Sequence, residues 1–302
     1  MRADALSLTI QNVLTQDTAR LTEALALDTS GARIEVQTLL QQVLKVSRAY
    51  LLAHPERCLN DSEQARYEEL LQRRLRGEPM AYLLGEREFF GLMFKVTTST
   101  LIPRPETELL VELALQHIPQ IRPSPQPSDE TPSLIRVLDL GTGSGAIALS
   151  IAHTRPDVEV VAIDASTEAL AVARENAQRL GIGNAAFVQS DWYAALDAQR
   201  FDLIASNPPY VAAGDPHLQR GDLRFEPASA LASGDDGLHD IRRIVIHAQV
   251  HLRPGGWLLL EHGYDQATQV RELMQQACFS AVFSACDLAG IKRVSGGCSA
   301  PS

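Results

Sequence analysis

Asn207-Pro208-Pro209-Tyr210 follow the apolar run FDLIAS at 201–206 and bring an amide, two prolines and a phenol to one strand end. Proline stops a sheet ladder because it lacks the N–H, and it pushes the residue before it into extended geometry. Asn207 and Pro208 are therefore both held extended, each before a proline. The rigid tip offers two acceptors, the Asn207 side-chain carbonyl and the Pro208 backbone carbonyl. Pro209 stiffens the tip, and such a rigid pair of acceptors is built to hold a ligand.

A second cluster lies in VLDLGTGSGAIA at 137–148, where Gly141, Thr142, Gly143, Ser144 and Gly145 separate a strand from a helix. Glycines let the chain turn tightly and let a ligand approach the backbone. In an open α/β sheet the ligand site lies beyond the strand C-termini, where this loop falls. The run also fits a dinucleotide pattern through Gly141, Gly143 and Ala146, so the loop alone leaves NAD, FAD and S-adenosylmethionine open. Asp164 ends the next strand, VEVVAIDA, and is placed either to accept from a ribose diol or to cap the helix starting near Ser166. Asp191-Trp192 follow the third strand, where an acid meets an adenine amino group and an indole packs on its ring. These residues, with the NPPY tip after the fourth strand, favour S-adenosylmethionine.

The elements that must position these groups alternate from residue 134 onward. Apolar strands IRVLDL, VEVVAIDA, AAFVQS, FDLIAS and GGWLLLEHG are interleaved with amphipathic helices, which predicts a doubly wound sheet covered on both faces. The last two strands, FSAVFSACD and the one near KRVSG, are too close for a helical crossover, so the final strand should pair antiparallel. Residues 103–302 are read as this catalytic domain, with PQIRPSPQPSDETPS at 119–133 as an exposed proline-rich loop. Residues 80–102 are read as a β-hairpin connector. Residues 1–79 read as a helical bundle, with Ile34, Leu39, Leu40, Val43 and Leu44 on one face and Tyr67, Leu70, Leu71 and Leu75 on another. Asp61 is expected as an N-cap, with Gln64 completing a capping box. Arg104, Glu106, Thr107 and Glu108 read either as a helix entry or as ligand contacts, and Phe89 and Phe90 either as core or as a cofactor wall.

The chain has 302 residues and a net charge of −10. An acidic balance argues against gripping nucleic-acid phosphates, so no direct nucleic-acid binding is expected, and RRLR at 73–76 reads as a solvated helix face. Cys58, Cys278, Cys286 and Cys298 form no CxxC pair, so no metal is expected. No run approaches a membrane span, and the N-terminus lacks a signal-peptide pattern, which predicts a cytoplasmic protein.

Together, D-x-GTGSG, Asp164, Asp191-Trp192 and NPPY resemble class I S-adenosylmethionine-dependent methyltransferases acting on planar nitrogens. Segments 77–112, 215–231, 234–244, 258–263 and 287–294 are similar to those of the release factor glutamine methyltransferases, the HemK/PrmC family. That resemblance implies a Rossmann-like, seven-stranded sheet with an antiparallel last strand, plus a small N-terminal helical domain that recognises the protein substrate. It implies S-adenosylmethionine as donor, no metal, and methylation of N5 of the glutamine in the GGQ motif of class 1 peptide chain release factors. It assigns catalysis to Asn207, Pro208 and Tyr210, and substrate binding to Asn207, Pro208, Pro209 and Tyr210. On that reading the Asn207 and Pro208 carbonyls hold a planar NH2 from one side and favour its pyramidalising as it attacks a methyl group. No strong base is needed first, because the N–H turns acidic only as the bond forms, and Tyr210 is expected as a flat wall against the planar group. Cofactor binding falls to Gly141, Thr142, Gly143, Ser144, Gly145, Asp164, Trp192 and Asn207. The alternatives are a ribosomal protein L3 glutamine methyltransferase, which usually lacks the RPETE form at 104–108, an adenine-N6 or guanine-N2 nucleic-acid methyltransferase, and a non-catalytic binding module.

Overall fold

The computed structural model describes residues 8–120 and 134–300, in two compact units divided after Gly85. The proline-rich stretch expected at 119–133 lies outside the described residues from 121 onward.

The first unit is helical among its described residues: α1 (Ile10–Leu25), α2 (Thr29–Leu44), α3 (Arg48–Ala53), α4 (Asp61–Leu75) and α5 (Met80–Leu84). A polar side chain caps each of the first four, at Thr9, Asp28, Ser47 and Asn60. The α4 box sits one residue earlier than the sequence pattern predicts. Asn60, not Asp61, is the N-cap, accepting from the Glu63 N–H at 2.9 Å while Glu63 accepts from the Asn60 N–H at 3.0 Å. Asn caps as well as Asp, and the glutamate reaches back where Gln64 cannot. Leu39, Leu40, Tyr67, Leu70 and Leu71 enter the core, whereas Ile34 is 55% exposed. The Tyr67 hydroxyl donates to the buried Asp17 carboxylate at 3.0 Å, which satisfies both polar ends inside the bundle.

The second unit opens with an antiparallel hairpin, β1 (Glu86–Phe89) and β2 (Leu92–Lys95), turning at Phe90 and Gly91 with positive φ. A tight turn at Pro105–Thr107 leads into α6 (Glu108–His117). The sheet strands are β3 (Ile135–Leu140), β4 (Val158–Asp164), β5 (Ala185–Gln189), β6 (Phe201–Ser206), β7 (Leu252–Glu261), β8 (Ser280–Cys286) and β9 (Lys292–Cys298). Helices α7 (Ala146–Thr154), α8 (Thr167–Leu180), α9 (His239–His251) and α10 (Ala267–Gln276) connect them. Their order is β5-β4-β3-β6-β7-β9-β8, with β9 inserted antiparallel to both neighbours. Strand residues alternate between two cores: Val137, Val160, Leu203 and Leu259 pack on one face, and Leu138, Val161, Ile204 and Leu258 on the other. Being buried on both faces is why these strands read as continuous apolar runs.

The chain reverses direction across the sheet at β3, which lies between β4 and β6. At such a point the loops leaving adjacent strand C-termini diverge and open a crevice. Leu140, Asp164, Ser206 and Glu261 all stand at that edge. Among the described residues no helix is long and apolar enough to cross a membrane.

Candidate active site

The loop after β3 is held from below by a buried carboxylate. Asp139 accepts from the Thr142 hydroxyl at 2.7 Å and from the Ala148 N–H at 3.2 Å. Burial, opposed by these two bonds, pushes its pKa up to about 7. Gly141, Gly143 and Gly145 all have positive φ, which other residues enter only at a cost. Gly145 is also crowded: a Cβ there would stand 3.0 Å from Leu149 Cδ1 and 3.2 Å from Ala173 Cβ. A Cβ on Gly143 would meet nothing within 4 Å, so that face of the loop is open. Gly145→Ala should therefore lower the thermal midpoint more than Gly143→Ala, whose backbone cost alone is about 1–2 kcal/mol. Equal losses in a melting experiment would show that the Leu149 and Ala173 contact is absorbed without cost.

Asp164 stands opposite the loop. One carboxylate oxygen accepts from the Gly143 N–H and the other from the Ser166 N–H, both at 2.9 Å. Ser166 itself caps α8 by accepting from the Ala169 N–H at 3.0 Å. Asp164 thus ties the glycine loop to the start of α8, leaving further lone pairs on both oxygens. Trp192 has positive φ, with its ring 3.5 Å from where a Gly141 Cβ would stand. Its indole N–H donates to Asp240 at 3.2 Å. Asp191, expected near a ligand amino group, lines the cavity beside Trp192 and is paired with Arg243 at 2.8 Å.

Gly141, Thr142, Gly143, Ser144, Asp164, Trp192, Asn207 and Pro209 line one cavity of about 490 Å3, together with Arg104 and Thr107. Gly145, Pro208 and Tyr210 do not line it. The extended chain explains the split: successive residues point to opposite sides, so Asn207 and Pro209 face the cavity while Pro208 and Tyr210 turn inward. Tyr210, expected as a flat wall for the planar group, does not line this cavity. Its hydroxyl lies 3.4 Å from Glu261 Oε1, and burial beside that carboxylate raises its pKa.

The Asn207 side chain donates through Nδ2 to the Thr107 hydroxyl at 3.2 Å. Thr107 lies in the turn entering α6 and lines the cavity, where its hydroxyl meets the Asn207 amide. Arg104 lines the cavity and pairs with the buried carboxylate of Glu226, which also accepts from the Ile102 N–H at 3.0 Å. Glu108 accepts from the Phe90 N–H at 2.9 Å, and Phe89 is core. Glu261 was not singled out from the sequence. Its signal was available: a carboxylate closing an apolar strand, as Asp164 does on β4.

The chain matches the model of a family described as "Methyltransferase domain" over residues 132–292, and that of the "PrmC N-terminal domain" over 12–85. A release factor glutamine methyltransferase of Bordetella pertussis is 51% identical over 92% of this chain and 98% of its own length. One from Burkholderia pseudomallei is 52% identical over 92% and 95%. Among solved structures, the hMettl16 catalytic domain aligns with a TM-score of 0.53 at 16% identity, covering 76% of this chain and 81% of that one. A Pyrococcus furiosus methyltransferase aligns at 0.50 and 19%, covering 77% and 99%. The structural likeness carries the fold, and the sequence likeness runs through both units. The chain belongs to the release factor glutamine methyltransferase family.

Proposed function

We propose that this chain transfers a methyl group from S-adenosylmethionine to N5 of the glutamine in the GGQ motif of a class 1 peptide chain release factor, in the cytoplasm. The observation that carries this reading is the placing of Asn207, at the tip of β6, in one cavity with the glycine loop and Asp164. The residues fit such a donor. The open face at Gly143 admits a ligand to the backbone, Asp164 has lone pairs for a diol, and the Trp192 ring offers an apolar surface. S-adenosylmethionine, when bound, supplies an electrophilic methyl group on a sulfonium. Gly141 to Ser144, Asp164 and Trp192 would hold it, with Gly145 shaping the loop from behind.

The remaining work falls to the strand tip. Asn207 Nδ2 is committed to Thr107, so the side-chain carbonyl is the part of the amide left to accept from the substrate. With the Pro208 carbonyl it holds the glutamine NH2 and favours pyramidalisation at nitrogen. With the donor bound, the glutamine nitrogen would take its methyl group and release a proton to water. The prolines keep both acceptors from relaxing, which is the preorganisation that makes polar groups effective in catalysis.

One glutamine side chain presents little surface, whereas a stable protein contact buries about 1,200–2,000 Å2. The N-terminal helices are the proposed source of the added recognition, and the net charge of −10 suits a protein partner better than a nucleic acid. Purified chain, S-adenosylmethionine and intact release factor should yield a GGQ peptide one methyl heavier by mass spectrometry. A chain starting at Glu86 that still binds S-adenosylmethionine should show a raised KM on intact release factor and little change on a short GGQ peptide. Equal efficiency of both chains on the intact factor would remove the helical unit from recognition.

A further inference from the structure

The two prolines that stiffen the strand tip also strip it of donors. Pro208 and Pro209 carry no N–H, so no neighbouring carbonyl can hold the tip through their nitrogens. Before the tip, the Ser206 hydroxyl donates to the Leu140 carbonyl at 2.7 Å. Beyond it, the chain is gripped at the peptide joining Tyr210 to Val211. That N–H donates to the Leu231 carbonyl at 2.9 Å, and the carbonyl oxygen, on Tyr210, accepts from Gln266 Nε2 at 2.9 Å. Bonds at opposite ends of one planar unit fix its tilt, whereas a single bond leaves it free to turn.

Gln266 is 7% exposed and stands at the N-cap of α10. Two backbone groups whose roles cannot be exchanged set the orientation of its amide. The Gly263 N–H can only donate, so it takes Oε1 at 2.8 Å, and the Tyr210 carbonyl can only accept, so it takes Nε2. The Gln266 N–H closes the same loop by donating to the Gly263 carbonyl at 3.1 Å. Gly237, at positive φ, lies against this contact from the other side. A Cβ there would overlap the Tyr210 carbonyl oxygen and stand 2.8 Å from Gln266 Nε2. The loops before α9 and α10 thus close on one carbonyl oxygen, in the same NPPY tip as Asn207.

We propose that Gln266 is a positioning residue, which latches the Tyr210 carbonyl and so sets where the Asn207 and Pro208 acceptors stand. The inference rests on the role proposed for those two acceptors. Proline fixes φ at both 208 and 209, so a change of tilt at Tyr210 is passed back along the tip instead of being absorbed in it. Gln266 does not line the cavity, and among the described residues its side-chain bonds go to Gly263 and Tyr210. The effect of losing it should therefore fall on methyl transfer and not on donor binding. A catalytic group misplaced by about 1 Å loses on the order of 10²-fold in rate.

The test uses the full chain with intact release factor. Gln266→Met keeps the length and removes both polar contacts, and should lower kcat and kcat/KM together by about 10- to 100-fold. The Kd for S-adenosylmethionine should stay within about threefold. Gln266→Glu keeps an acceptor for the Gly263 N–H but sets its other oxygen against the Tyr210 carbonyl, so it should lose at least as much. It carries the test should Gln266→Met melt below the assay temperature. Gly237→Ala presses on the same carbonyl from the other side and should show the same pattern. Gly255→Ala is its control, because it also has positive φ, meets nothing within 4 Å and lies toward the opposite end of β7. Its kcat should match the parent. Parental kcat in Gln266→Glu or Gly237→Ala would overturn the proposal. So would a Gln266→Met enzyme whose donor Kd weakens as far as its kcat falls, which would mean general loosening and no latch. Asn207→Ala, run beside them, separates the latch from the reading beneath it. A loss there with none in the Gln266 variants removes the latch alone. Normal turnover of Asn207→Ala removes the acceptor role and the latch with it.

Discussion

Asn207→Ala is expected to lower kcat by about 10²–10³-fold, the loss seen when one preorganised polar group facing a transition state is removed. The cofactor Kd should move by a small factor only. Asn207 leaves a core strand at a site where both following residues are proline, so deleting its side chain neither lengthens the ladder nor frees the backbone. What disappears is one acceptor for an N–H that grows more acidic as the bond forms. The interaction is therefore weaker with bound glutamine than with the transition state, and kcat and kcat/KM should fall together. Alanine also strands the Thr107 hydroxyl, which loses the Asn207 amide as its partner. Single-turnover methylation of release factor, read by peptide mass, reports the chemical step alone. A loss below about fivefold would mean that Asn207 does not hold the amide.

The groups that proved legible in the sequence share one property: their backbone announces them. Three glycines with positive φ and a proline pair are written in residue types that few other local structures require. The doubly wound sheet was legible for a related reason, because strands buried on both faces cannot hide as polar alternation. The layer behind the site was not. Thr107 and Asn207 are 100 positions apart and meet only once the turn before α6 packs against the tip of β6. Tyr210 stands three residues from Asn207 in NPPY yet is absent from the cavity lining, because the pleat sends it to the other side. The α4 cap moved by one residue because Asn60 and Asp61 are both good caps, and only the reach of Glu63 decides between them.

Asp164→Ala should weaken S-adenosylmethionine by about 10²-fold or more, since hydrogen bonds to a charged group contribute about 1.5–3 kcal/mol each and two are proposed to a ribose diol. The structure adds a second route to the same loss. Each Asp164 oxygen also accepts a backbone N–H, one from Gly143 in the loop and one from Ser166 at the start of α8. Removing the carboxylate unties the loop from the helix as well as removing the ligand acceptors. Asparagine is not a mild replacement here. Both oxygens already face N–H donors, so an amide must set its own NH2 against one of them. Asp164→Asn should therefore lose most of the affinity that Asp164→Ala loses, unlike a site where only one oxygen is used. Calorimetry with S-adenosylmethionine, paired with a melting curve of the same protein without ligand, separates the two contributions. A lowered midpoint with unchanged affinity would make Asp164 a tie between loop and helix only, and the diol contact would be wrong.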